Sequence, residues 1–240
     1  DKSLMKKIAK LAKKYEAPVF MHSSETMAET QACINTYGKT PTELFDKLGL
    51  FDFGGGAFHS VWVDDNDLKI YKKRGVWAVI NTGSNCKLAS GVAPVEHMSD
   101  MGINLALGTD GPSSNNALDM FREMYMTCVL QKIKNKNAAA MNADKVLEMA
   151  TTGSARCMGL KDCDCIAVGK KADLIVIDLK RPNMQPILNI TKNLVYSGSK
   201  ENVKLTMING KILYENGAFI GCDIEKIYAD AAETVARLNQ

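Results

Sequence analysis

No stretch of this sequence approaches the roughly 20 consecutive apolar residues that a helix needs to cross a bilayer, so a helical membrane span is excluded. Proline is scarce, six in 240 residues, and no low-complexity tract argues for disorder. Hydrophobic content of 46% with 24% charge belongs to a chain with a buried core. Dense charge of one sign is missing too. Thirty Lys and Arg against 27 Asp and Glu leave a net charge of +3, and the nearest basic cluster, 132–136, is broken by Ile133 and Asn135. That is too sparse for a phosphate-binding face, so no nucleic-acid partner is expected. Seven cysteines are an odd number without a secretory leader, which predicts reduced thiols and a cytoplasmic setting rather than a disulfide framework. Cys163-Asp164-Cys165 has one residue between the sulfurs, too few for a zinc ribbon, and reads as a loop. Histidine occurs only as His22, His59 and His97, so a histidine-based metal site has few ligands to draw on.

What the sequence does hold is a repeated order of elements. Asp1 leads directly into Leu4, Ile8, Leu11 and Ala12 at helical spacing, with neither a Met nor a strand before them, as in a sequence entered partway along a longer fold. The apolar run 17–21 then reads as a buried parallel strand ending on His22, with a polar helix start at Ser23-Ser24-Glu25. A second unit runs from Gly54 through His59 and Val61-Trp62-Val63 to the capping run Asp64-Asp65-Asn66-Asp67 and a helix with Leu68, Ile70 and Tyr71. The third is the strand 76–80, a loop at 81–85 and a helix over 94–101. The fourth is the strand 103–107, the turn Gly108-Thr109-Asp110-Gly111 and a helix over 118–134. Strand, loop and helix in alternation predict a parallel sheet covered by helices. Four such units are half of a (β/α)8 barrel, whose chemistry sits at the C-terminal ends of its strands.

A further helix over 142–158 precedes a change of style near Gly159. Strands are predicted at 172–178, 203–208 and 211–214, the last two joined by Asn209-Gly210, a strong hairpin signal, with a closing helix over 223–238. The predicted division is 1–160 as half-barrel, 161–222 as a small β-sandwich segment and 223–240 as a C-terminal helix.

His22, His59 and Asp110 all fall at or just past predicted strand ends. His22 and Glu25 form H-x-x-E, which alone is a weak signal, and Asp-Gly at 110–111 alone is ordinary turn chemistry. Together, a His and an Asp on one barrel rim suit Zn²⁺ or Fe²⁺, with Glu25 near enough to move protons and His59 as an added acid/base group. Two protein ligands are fewer than the three that zinc hydrolases usually supply. His97 lies in a helix away from any strand end and reads as a surface or packing residue.

His22-Ser23-Ser24-Glu25-Thr26, Ala57-Phe58-His59, the block from Ser84 through Ser90-Gly91 to Ala93-Pro94, and the run from Leu107 through Asp110 to Met120 resemble the blocks around strands five to eight of the amidohydrolase superfamily. The likeness is to its methylthioadenosine/S-adenosylhomocysteine deaminase branch, with triazine chlorohydrolases close by. Gly169 to Val176 and Asn209-Gly210-Lys211 resemble the β-sandwich segment that follows the barrel. The resemblance implies one divalent metal, Zn before Fe, with His22 and Asp110 as ligands. It further implies Asp110 as general base, Glu25 as proton shuttle to a purine ring nitrogen and His59 as the residue polarising the attacking water. Glu25, Ser113 and Asn115 are the candidate substrate-binding residues. The implied activity is hydrolytic deamination of a small purine nucleoside thioether. The family's H-x-H pair and first four βα units are absent, so the rest of the barrel is an expected partner, and a homo-oligomer is expected. A triazine chlorohydrolase or other aminohydrolase, and an inactive half-barrel, are the alternative readings.

Overall fold

A computed structural model describes residues 1–238. The chain begins with α1 (Lys2–Tyr15), whose N-terminus is capped by the Asp1 carboxylate, followed by β1 (Val19–Ser23), α2 (Met27–Tyr37) and α3 (Pro41–Lys47). Next come β2 (Gly55–His59), α4 (Asp65–Arg74), β3 (Trp77–Ile80), α5 (Thr82–Lys87) and α6 (Val95–Asp100). The series continues with β4 (Asn104–Leu107), α7 (Pro112–Asn115), α8 (Met120–Asn135), α9 (Ala143–Glu148) and α10 (Ser154–Cys157). The remaining elements are β5 (Leu174–Ile177), α11 (Ile190–Tyr196), β6 (Val203–Ile208), β7 (Lys211–Glu215), β8 (Ala218–Phe219) and α12 (Ile224–Leu238).

The first four strands form a parallel sheet in sequence order, and the last four an antiparallel sheet, also in sequence order. In the parallel sheet the period of two divides the side chains between two faces. Met21, partly buried, and the buried Ala57, Ala78, Ile80, Leu105 and Leu107 face the helices and pack with the buried Leu50, Phe51, Leu68, Tyr71, Val95 and Met98. Phe20, Phe58, Val79 and Ala106 face the other way and, with Cys157 and Met158, line an open apolar cavity of about 480 Å³. His22 is in register with Phe58 and so belongs to this inner face.

Several elements differ from the sequence-based expectation. β1 runs on through His22 and Ser23, Ser24 turns left-handed (φ 53°), and the following helix starts later, with Thr26 as its cap. The second strand stops at His59. Residues 61–63 do not extend it, because His59 and Ser60 are both left-handed (φ 71° and 48°) and the Val61 and Trp62 N–H groups turn back to Ser24 O. The single helix expected over 142–158 is split by a π-helical turn, Met149–Gly153. That turn lies against β4: a Cβ on Gly153 would sit 2.7 Å from Leu105 O, and Ser154 Oγ accepts from Leu107 N–H at 3.2 Å while donating to Met149 O at 2.7 Å. The wider turn lets backbone and hydroxyl reach the strand. The loop expected at 81–85 is mostly the helix α5, and α3, α7, α11 and β8 were not expected.

The Asp64–Asp67 run caps α4 as its sequence predicts, with both carboxylates in a capping box. Asp67 is fully buried and also accepts from Thr40 Oγ1 at 2.5 Å. Burial pushes its carboxyl up, the Thr40 hydroxyl and Asp64 N–H oppose, and the nearby Asp64 and Glu43 carboxylates add to the rise, leaving it at about 6. An unfolded Asp titrates near ~4. The folded state therefore binds this proton more tightly, and the stability it contributes is present below pH ~4 and lost as pH rises through about 6. Urea unfolding between pH 4.5 and 6.5 should show a fall of at most about 2 kcal/mol traceable to this group. Asp67→Asn should remove that fall, and an unchanged slope in the variant would assign it elsewhere.

Candidate functional site

Parallel pairing sets the carboxyl ends of β1 to β4 on one rim, and the loops beyond them bring the polar groups together. His22 stands near the end of β1 with its ring 5.2 Å from that of His59 and 5.3 Å from Phe58. His59 ends β2 and is fully buried. Its Nδ1–H donates to Asn85 Oδ1 at 2.7 Å, which leaves Nε2 as the lone-pair nitrogen, and that atom has no hydrogen-bond partner among the described residues. Asp110 follows β4 in a left-handed conformation (φ 60°) with Oδ1 3.8 Å from His22 Nε2. One ligand atom from each of His22, His59 and Asp110 lies within 4.8 Å of the others.

Glu25 completes the cluster, with Oε2 3.7 Å from His59 Nε2 and Oε1 accepting from Ser90 Oγ at 3.0 Å. Ser90 is held in turn by Trp62 Nε1–H, which donates to its carbonyl at 2.8 Å. Asp110 Oδ2 accepts from Ser84 Oγ at 2.7 Å and from Ser114 Oγ at 2.6 Å. Partial burial pushes the Asp110 carboxyl up, but the Ser114 and Ser84 hydroxyls, the Gly111 N–H and the neighbouring His59 outweigh it and hold the group down at about 2. The His22 imidazole nitrogen facing the ionised Asp110 carboxylate at 3.8 Å is a donor pair that fits a divalent metal, and the partnerless His59 Nε2 beside it is free to accept from a water there. Nitrogen and oxygen donors of this kind suit zinc or iron rather than calcium or magnesium.

The structure thus brings His22, Glu25, His59 and Asp110 to one place. Ser113 is exposed and its carbonyl accepts from Lys87 Nζ at 2.8 Å, while the hydroxyl on Asp110 is that of its neighbour Ser114. Asn115 is buried, its amide donating to Thr109 O at 2.6 Å and to Glu123 Oε1 at 2.7 Å. His97 is half-exposed on α6, bonded to Asp65 at 2.8 Å, outside the cluster. Sequence reasoning assigned no role to Ser84, Asn85, Ser90, Ser114 or Glu123. The first three lie in the Ser84–Pro94 block, where polar residues directly after an apolar strand were the available signal.

Histidines and a carboxylate gathered on the carboxyl rim of a helix-covered parallel sheet are an arrangement that can hold a divalent metal, placed where (β/α) folds carry their chemistry. Residues 1–213 match the model of the amidohydrolase family, and the chain belongs to that family. It is 39% identical over 235 residues to a 5-methylthioadenosine/S-adenosylhomocysteine deaminase of Caldanaerobacter subterraneus subsp. tengcongensis, covering 98% of this chain and 54% of that protein. It is equally 39% identical over 243 residues to a 5'-deoxyadenosine deaminase of Methanosarcina acetivorans, covering 100% of this chain and 56% of the relative. Among solved structures, an adenosine deaminase from Xanthomonas campestris with bound zinc superposes with a TM-score of 0.94 at 32% identity, covering all of this chain and 55% of that one. The chain spans about half the length of the curated relatives it matches.

Removing either hydroxyl that bonds the ionised form of Asp110 should raise its pKa from about 2. Ser84→Ala or Ser114→Ala should each move the carboxyl ¹³C titration of Asp110, in metal-free protein, up by about one pH unit, the equivalent of one hydrogen bond to a charged group. No movement in either variant would mean that the backbone and His59 hold the carboxylate without them.

Proposed function

We propose that this chain carries the rim of a metal-dependent hydrolytic deaminase acting on adenosine-type thioethers, methylthioadenosine or S-adenosylhomocysteine. The observation that carries the reading is the unpartnered, buried Nε2 of His59 among Glu25, His22 and Asp110, because that group of side chains pairs a metal-ligand set with a carboxylate able to carry a proton. The names of the 39%-identical relatives support an adenosine-type substrate, and that of the first, which names methylthioadenosine and S-adenosylhomocysteine, favours a thioether over the 5'-deoxyadenosine of the second.

In this reading His22 Nε2 and Asp110 Oδ1 are this chain's ligands. Zinc bound there would lower the pKa of an adjoining water toward ~7. His59 Nε2, fixed as acceptor by the Nδ1–H bond to Asn85, takes a hydrogen bond from the attacking water and orients it. Asp110 accepts the water proton. Glu25 delivers a proton to the ring nitrogen beside the amino-bearing carbon, so that carbon accepts the oxygen nucleophile. The new C–O bond then replaces the C–N bond: the proton held by Asp110 leaves on ammonia, and the proton remaining on the added oxygen returns to Glu25 as the ring carbonyl forms. Ser90 keeps Glu25 turned toward His59. The remaining ligands and the contacts to ribose and thioether tail belong to residues outside this chain, supplied by the part of the relatives' length that it does not span.

The test compares this chain with a protein in which that further length completes the barrel, following zinc content and the adenine-to-hypoxanthine absorbance change on methylthioadenosine. The completed protein should bind about one zinc and turn over. Glu25→Gln should keep the zinc and lower kcat by roughly 10²–10⁴, whereas His22→Ala and Asp110→Asn should lose zinc and activity together. A zinc-loaded, completed protein that leaves adenosine thioethers untouched while hydrolysing a triazine or another amino-substituted ring would replace this reading with that of a related aminohydrolase.

A further inference from the structure

Asp110 owes its geometry to two short segments that have little hold of their own. Ser84 sits in α5 and Ser114 in α7, helices of six and four residues, neither with a side-chain cap at its N-terminus. Helices so short do not persist alone, and their first N–H groups lack partners within the helix. Both segments converge on one side chain. Glu123, in the first turn of the longer, Asp119-capped α8, is fully buried. Its Oε2 accepts from Gly83 N–H, one of the free donors of α5, at 2.9 Å, and its Oε1 accepts from Asn115 Nδ2 at 2.7 Å. The same Asn115 amide donates to the carbonyl of Thr109, the residue before Asp110, at 2.6 Å.

We infer that Glu123 is a positioning residue, which locks α5, α7 and the Thr109-Asp110 turn to α8 and so sets Ser84 and Ser114 on the Asp110 carboxylate. The inference rests on the reading of Asp110 as a metal ligand. Glu123 has no access to substrate and is not catalytic. Position 83 supports the assignment: a Cβ there would lie 2.3 Å from Glu123 Oε1 and 2.6 Å from Asn115 Nδ2, so only glycine admits the carboxylate. A second tie, Thr82 Oγ1 to Thr127 Oγ1 at 2.6 Å, joins the same two helices and can keep them packed when the first is cut. α5 also carries Asn85, which fixes the tautomer of His59, so one buried carboxylate stands behind two members of the cluster.

Glu123→Gln preserves volume but turns one acceptor into a donor facing an N–H, which breaks one of the two ties. Zinc affinity of the barrel-completed protein, measured by chelator competition, is the primary readout because it needs no substrate. Glu123→Gln should weaken zinc about 10- to 100-fold, the range seen when groups supporting a ligand are removed, and lower kcat with KM within about threefold. In a Ser84→Ala/Ser114→Ala background the same substitution should weaken zinc less than about twofold, because the path it acts through is already gone. Equal losses in both backgrounds, or no loss in the parent, would overturn the inference. A merely destabilising change would act alike in both. Where Glu123→Gln does not fold, Asn115→Ala cuts one tie and is read on the same cycle. The expected zinc pattern without deamination of any adenosine thioether would leave this inference standing and sink the proposed function, while absence of zinc binding in the parent would overturn both.

Discussion

Parallel pairing in register, from Val19 against Gly55 to Ile80 against Leu107, puts four carboxyl ends on one edge, and every polar group of the cluster hangs from that edge. In a parallel sheet the strands cannot be joined by tight hairpins, so each end opens into a loop that must turn sharply toward a helix. Here the turns are made by residues other than glycine: Ser24, His59, Ser60 and Asp110 all have positive φ. Each costs about 1–3 kcal/mol where it is not a glycine, and such backbone survives only when its surroundings hold it. The hold is visible as hydrogen bonds from Ser60, Val61 and Trp62 N–H groups to Ser23 and Ser24 carbonyls, which lock the ends of β1 and β2 together. The left-handed φ of His59 and Asp110 turns the chain at the rim, where their side chains meet those of His22 and Glu25.

The sheet's two faces divide the work. The outer face packs against large apolar residues of the covering layer, among them Phe51 in the turn after α3 and Leu68 and Tyr71 of α4, each worth about 1.5–3 kcal/mol on burial. The inner face carries Phe20, Phe58, Val79 and Ala106 around an open cavity, although parallel strands are ordinarily covered on both sides. That open face accords with a chain spanning about half the length of its relatives. The antiparallel sheet has the same character, with Ile175 and Ile208 each about half exposed.

Strand positions, the parallel order of the first sheet, the β6–β7 hairpin and the coincidence of His22, His59 and Asp110 with strand ends were legible because they depend on local patterns: apolar runs, capping aspartates, Asn-Gly. What was not legible depends on contacts far apart in sequence. The π-helical turn at 149–153 exists because Gly153 and Ser154 meet β4, some 47 residues earlier, and nothing in the local helical pattern announces it. Likewise Val61-Trp62-Val63 reads as strand by composition, yet two left-handed residues before it redirect the chain so that Trp62 reaches Ser90. At the cluster, Ser113 and Ser114 are indistinguishable as letters. Only the turn geometry of α7 decides which hydroxyl meets Asp110.

The same distinction explains why Glu123 escapes a sequence reading. A Glu in the first turn of a helix is favoured there by the helix dipole whatever else it does, so its presence after the Asp119 cap carries no signal. Its burial is what matters. A carboxylate taken out of water is costly unless its oxygens are satisfied, and burial indeed pushes the Glu123 carboxyl up against the pull of Gly83 N–H, the Asn115 amide and Arg122. It stays inside because both oxygens meet donors from separate segments where a glycine makes room, which offsets part of what burial costs its charged form. The geometry of Asp110 is therefore set from behind by α8 as much as by the strand that precedes it.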